Sequence, residues 1–178
     1  MEEALVIAQV RSGNTDAFTG IVEHYQSPIQ RYLYRLTGDY ELAKDLTQDT
    51  FIHAYKSILK TDSELSLKAW LYRIATNNAY QYYRRKRLIS FIPFSRLKRE
   101  IEIPTRDNTA DTAETAAIQE ILVKIPEELR ICLVLHLVEG FKYREIAATI
   151  GISEDAVRMR VARGKEAFQK SYQGGEVR

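Results

Sequence analysis

Four basic side chains, Arg158, Arg160, Arg163 and Lys165, fall close together just after the short stretch Gly151-Ile152-Ser153. Guanidinium groups can grip a guanine edge bidentately, at about 1–3 kcal/mol of discrimination per base, and both residue types pair with phosphate. The spacing decides which way they face. At about 100° per residue, Val157, Val161, Gly164 and Phe168 share one side of a helix, while Asp155, Arg158, Met159, Ala162 and Arg163 point away from it. The preceding run from Tyr143 to Ile150 has its own apolar face in Ile146, Ala147 and Ile150. Gly151 can take the left-handed conformation that closes a helix, Ser153 is a good N-cap, and Glu154 and Asp155 suit the positive end of the next helix. A short helix, a tight turn and a second helix with a basic outer face form a helix-turn-helix, which lays its second helix in the DNA major groove. In that placement Glu154, Asp155, Arg158, Met159 and Arg163 face the bases, and Arg160, Lys165 and Lys142 are placed for phosphates. A basic helix facing only solvent would satisfy the same pattern.

A second cluster lies further upstream. Arg73, Asn77, Tyr80, Arg84 and Arg87 recur at intervals of three or four, interleaved with Tyr72, Tyr82 and Tyr83. Aromatic faces can stack on unpaired bases while cations follow the backbone. An amide such as Asn77 both donates and accepts, so it can read the edge of an extruded base. The same tyrosines could instead be core, and Asn77 could be a buried amide bonded to the backbone. A third pattern, Asp45, Gln48, Asp49 and Lys56, makes a polar stripe beside a core face of Leu42, Leu46, Ile52 and Ile58. Such a stripe suits a basic partner or plain solvent.

Bulk composition is compatible with these readings. The 178 residues are 45% hydrophobic and 28% charged, with a net charge of only +2. The charge is unevenly spread: Arg84 to Arg99 holds seven basic residues and no acid, whereas Glu100 to Glu120 is acidic. Local fields of this kind attract phosphates even where the total nearly cancels. The single Cys132 sits in an apolar run, which suggests a core thiol. His24, His53 and His136 fall on separate segments, and no Gly-rich phosphate loop is present, so neither an enzyme, a metal site nor a cofactor is expected. No apolar stretch reaches the ~18 residues of a membrane span, and the acidic start lacks a signal pattern; a cytoplasmic protein is expected.

Those residues need helices to present them, and almost the whole chain reads as helix. Leu5 to Arg11 and Thr15 to Tyr25 form two short ones; Pro28 suits the first turn of a third that runs through Leu36 to Gly38. Glu41 to Leu59 and Ser66 to about Ser90 follow. Ile92-Pro93-Phe94 breaks the pattern, and the polar, threonine-rich stretch beyond it has the composition of a flexible linker. Helices from about Thr112 to Lys124 and from Pro126 to Val138 precede the helix-turn-helix. The expected fold is all-α, with two small helical domains, 1–92 and 112–178, joined by a linker over 93–111.

Four motifs in this order carry a family resemblance: DLTQDTF from Asp45 to Phe51, WLYRIATN from Trp70 to Asn77, IPEELR from Ile125 to Arg130, and the helix-turn-helix. Together they resemble bacterial RNA polymerase sigma factors of the extracytoplasmic-function (ECF) group, which keep only the second and fourth conserved regions. The resemblance implies that the N-terminal domain docks on a clamp coiled coil of core RNA polymerase through Asp45, Gln48, Asp49 and Phe51. It implies recognition and melting of the minus-ten element by Lys60, Ser63, Leu65, Arg73, Asn77, Tyr80, Arg84 and Arg85, with a base flipped between the loop over 60–66 and Asn77. The C-terminal domain would read the minus-thirty-five element near the polymerase flap. An anti-sigma factor, often membrane-bound in this family, is the implied inhibitor. Two features depart from the family pattern, the acidic pair Glu154-Asp155 and a glycine, Gly164, inside the recognition helix. A stand-alone helix-turn-helix regulator is the competing reading.

Overall fold

In the computed structural model, residues 3–58, 66–90 and 113–175 are described; the expected linker and the loop residues Lys60, Ser63 and Leu65 lie outside them. The described residues form eight helices and no strands: α1 (Glu3–Arg11), α2 (Thr15–Thr37), α3 (Tyr40–Ser57), α4 (Leu67–Ser90), α5 (Ala113–Lys124), α6 (Glu127–Leu137), α7 (Tyr143–Ile150) and α8 (Glu154–Gly175).

The structure corrects one boundary. Thr15 to Thr37 is a single helix with Pro28 inside it, where the sequence predicts two. Proline removes one N–H and crowds the preceding turn. The apolar stripe nevertheless runs in register across it, through Phe18, Ile21, Tyr25, Ile29, Tyr32, Leu33 and Leu36, all buried. Continuous tertiary burial therefore outweighs the lost local bond. The helix ends at Gly38, whose φ of 71° needs no Cβ, and Asp39 starts α3 by accepting from the Leu42 N–H at 3.0 Å.

Helices α2, α3 and α4 enclose the N-terminal part of one continuous core. Ala43, Ala54, Ala75 and Ala79 are fully buried on α3 and α4, and such small residues let helices approach closely around Leu33, Leu36 and Leu71. Polar groups in this core are satisfied. Thr47, Thr50 and Thr76 each donate to the carbonyl four residues back at 2.7 Å. Tyr32 and Thr76 share a hydroxyl bond of 2.7 Å. Buried hydroxyls without such partners would cost about 1–3 kcal/mol each.

Helices α5 to α8 add Leu122, Ile131, Val134, Leu135, Ile146, Val157 and Val161 to the same continuous core. Cys132 belongs to it, and burial pushes its thiol up, away from nucleophilic use. The turn between α7 and α8 follows the sequence reading. Gly151 has φ 73° and donates to the Ala147 carbonyl at 2.9 Å, and Ser153 Oγ accepts from the Ala156 N–H at 3.2 Å. Gly164 is buried where a Cβ would stand 3.3 Å from the Leu129 carbonyl and 3.4 Å from Leu133 Cβ. Close packing of α8 on α6 therefore accounts for a glycine that local helix propensity disfavours.

Candidate polymerase and DNA interface

Three helix faces carry the residues singled out by sequence. On α3, Asp45, Gln48, Asp49 and Lys56 are all exposed, so the stripe is a real surface. Ile52 joins it at 42% exposure instead of entering the core, and Tyr55 is exposed beside it. The helical period contained this answer: Asp45, Asp49, Ile52 and Lys56 are spaced i, i+4, i+7 and i+11, a single face. Phe51 is corrected in the other direction. It is buried, so it seats α3 on the core and cannot itself form part of the exposed stripe. The resulting face is acidic with an apolar centre.

On α4, Arg73, Asn77, Arg84 and Arg85 are exposed. The buried amide is the neighbouring Asn78. Its Nδ2 donates to Thr50 Oγ1 at 3.1 Å, and its Oδ1 lies 3.0 Å from His53 Nδ1. This pair of bonds ties α4 to α3, and the next residue back, Asn77, is thereby turned outward. Sequence alone could not tell which of the two amides was structural, because both lie on a helix whose core face is wide. Of the tyrosines, Tyr72 is core and Tyr80, Tyr82 and Tyr83 are half-buried. Burial is the main cause that pushes Tyr80 up to about 12, and it raises Tyr83 as well, so both phenols stay protonated at neutral pH.

On α8, Glu154, Asp155, Arg158, Met159, Arg163 and Lys165 are exposed, and Lys142 is exposed at the start of α7. The acidic pair that departs from the family pattern has a visible role. Arg158 lies 3.3 Å from Asp155 and 3.7 Å from Glu154, which hold its guanidinium over the outer face of the helix. Arg160 does not join this face: it is half-buried and pairs with Glu128 of α6 at 2.7 Å. Among the described residues, no group of three or more His, Cys, Asp or Glu is arranged to hold a metal ion, and no helix is long and apolar enough to cross a membrane.

A helix-turn-helix unit beside a helical unit with an exposed acidic stripe and a polar-basic face defines a two-part, all-helical factor. The family models for sigma-70 region 2 and sigma-70 region 4 match residues 21–89 and 115–168 respectively. The ECF RNA polymerase sigma factor SigW of Bacillus subtilis is 30% identical over 92% of this chain and 93% of its own length. The RNA polymerase sigma-H factor of Pseudomonas aeruginosa is 30% identical over 97% and 94%. Among solved structures, CnrH, in complex with the cytosolic domain of CnrY, superposes with a TM-score of 0.73 at 24% identity, covering 97% of each chain. The sigma factor RpoE of Bartonella quintana, in complex with the anti-sigma factor NepR, gives 0.73 at 21% identity, over 88% of this chain and 96% of that one. The chain belongs to the ECF sigma factors. It is an RNA polymerase sigma factor that directs transcription initiation, and a stand-alone regulator is not favoured.

Proposed function

We propose a division of labour along the chain. Residues 1–92 dock on the clamp coiled coil of core polymerase and open the minus-ten element; residues 112–178 anchor on the minus-thirty-five element near the flap; residues 93–111 tether the two. The observation that carries this reading is that Asp45, Gln48 and Asp49 on α3 and Arg73, Asn77 and Arg84 on α4 are exposed together, on helices locked by Asn78. Docking uses Asp45, Gln48 and Asp49, with Ile52 at the centre of the patch and Phe51 as its buried support. Melting uses Asn77 as the reader of a flipped base, with Arg73, Tyr80, Arg84 and Arg85 along the single strand and Lys60, Ser63 and Leu65 closing the pocket. Unstacking that base costs a few kcal/mol, which these contacts and the polymerase must offset.

In the upstream unit, Arg158, Met159 and Arg163 read bases. Glu154 and Asp155 keep Arg158 extended until guanine takes their place, or accept from a cytosine amine. Lys142 and Lys165 take phosphates, and Arg160 joins them only by leaving Glu128. Replacing Arg158 or Arg163 with Ala is expected to flatten base preference at one or two upstream positions by about 5- to 100-fold each, read by binding-site selection with holoenzyme. A uniform loss across all sequences would assign these arginines to phosphates. The chain acts in the cytoplasm, where its polymerase is, and an anti-sigma factor is its inhibitor, as the complexes of CnrH and RpoE with CnrY and NepR suggest by likeness. Run-off transcription with core polymerase tests the whole reading. The chain should confer initiation at discrete promoters while binding duplex weakly alone; tight, symmetric duplex binding without polymerase would contradict it.

A further inference from the structure

Met159 is a large apolar side chain left 48% exposed on the outer face of α8. Its direction follows from the core contacts of the same helix. Val157 and Val161 are buried where α8 packs on α6 and α7. At about 100° per residue, Met159 stands about 160° round the helix from each of them, almost opposite the core. Ala162 follows at i+3, exposed on the same side, at the spacing of about 5–6 Å between Cβ atoms that such neighbours share. Arg158 and Arg163 flank the pair. Asp155 at 3.3 Å and Glu154 at 3.7 Å draw the Arg158 guanidinium toward the start of the helix and leave the thioether open.

Single exposed apolar residues are ordinary on a protein surface. A helix that enters the major groove is a different case, because its outer side chains lose their water against base edges. Those edges carry donors and acceptors, and thymine alone adds an apolar group, the C5 methyl. Alanine has nothing to donate or accept, and a thioether is only a weak acceptor. Set against an amine or a carbonyl, either would strip that group of water and return no bond. Set against a methyl, they bury apolar surface on both sides. Methionine is unbranched with three rotatable bonds, so its tip adapts to where the methyl stands. Three residues rise about 4.5 Å along a helix, and base pairs are stacked about 3.4 Å apart, so the two side chains cover one or two adjacent steps.

We propose that Met159 and Ala162 are thymine-methyl readers, which select one or two thymines between the bases read by Arg158 and Arg163. The inference rests on the upstream-element reading of α8 given above and adds the chemistry of its central contact.

Binding-site selection with holoenzyme should return thymine, on either strand, at one or two adjacent upstream positions. Deoxyuridine placed there deletes the C5 methyl and keeps every hydrogen-bonding group. It should weaken promoter binding about fourfold per contacted position, the worth of one buried methyl-sized group. In holoenzyme carrying Met159→Ala, deoxyuridine at the Met159 position should change affinity by less than about 1.5-fold, because the two changes remove the same contact. Met159→Gln should turn that position from thymine toward adenine, which an amide reads bidentately; a merely disturbed helix would lose preference without gaining another. Selected elements without an upstream thymine, indifference of the wild-type holoenzyme to deoxyuridine, or undiminished sensitivity with Met159→Ala would each overturn the inference. The arginine variants separate it from the reading beneath. If Arg158→Ala and Arg163→Ala shift base preference while deoxyuridine does nothing, the thymine contact alone is wrong. If neither the arginine variants nor deoxyuridine alters preference, α8 does not read bases.

Discussion

Holoenzyme carrying Asn77→Ala is expected to form closed promoter complexes normally and to open them about 10- to 100-fold less well, because one base-edge contact is worth about 1–3 kcal/mol. The expectation depends on Asn77 being exposed while its neighbour is not. Truncating Asn77 removes no contact within the chain's core, so unfolding free energy should stay within about 0.5 kcal/mol of wild type. Asn78→Ala makes the opposite change. It leaves the Thr50 and His53 partners without the bonds that join α3 to α4, and should cost about 1–3 kcal/mol of stability. Chemical denaturation separates the two residues, and stopped-flow fluorescence from a promoter labelled near the start site reads the opening step. Equal loss of closed and open complexes in Asn77→Ala would remove the base-reading role.

The docking face gives the other large effect. Asp45→Arg combined with Asp49→Arg should weaken association with core polymerase by about 100-fold or more, since like charges brought together across an interface cost several kcal/mol. Both carboxylates are exposed, so the fold should be unaffected. Ile52→Ala should give a smaller loss, in line with an apolar contact at the centre of a patch. Competition for labelled core polymerase measures both. Raising the salt should narrow the difference for the double variant more than for Ile52→Ala, because screening acts on the charges alone. Undiminished affinity of the double variant would move docking away from α3.

Much of this architecture was legible from residue spacing. The helix-turn-helix could be read because glycine, serine and the two apolar faces each have a local physical meaning at that spacing, and the structure places Gly151, Ser153 and Val157 as expected. Pro28 carries a local cost that residue type makes visible, whereas the long buried stripe that overrides it acts through tertiary packing. Ile52 is exposed where the core face was expected, and Phe51, which the family resemblance implies for docking, is buried. Residue type makes both look apolar, and only the phase of the helix separates them. The pairing of Arg160 with Glu128 has no signal in the chain, since the two lie 32 residues apart on different helices. Contacts between helices are written in geometry that helical periodicity does not encode.

On the proposed division of labour, one helical unit parts the strands on the polymerase while the other holds intact duplex upstream. Chemical probing of unpaired thymines across a promoter, with core polymerase and the full chain, tests it most directly. Reactive thymines should appear only with both proteins present, over the minus-ten element, and should be lost with Asn77→Ala while protection upstream persists. Protection by the chain alone at full strength, with no reactive thymines when polymerase is added, would contradict the account.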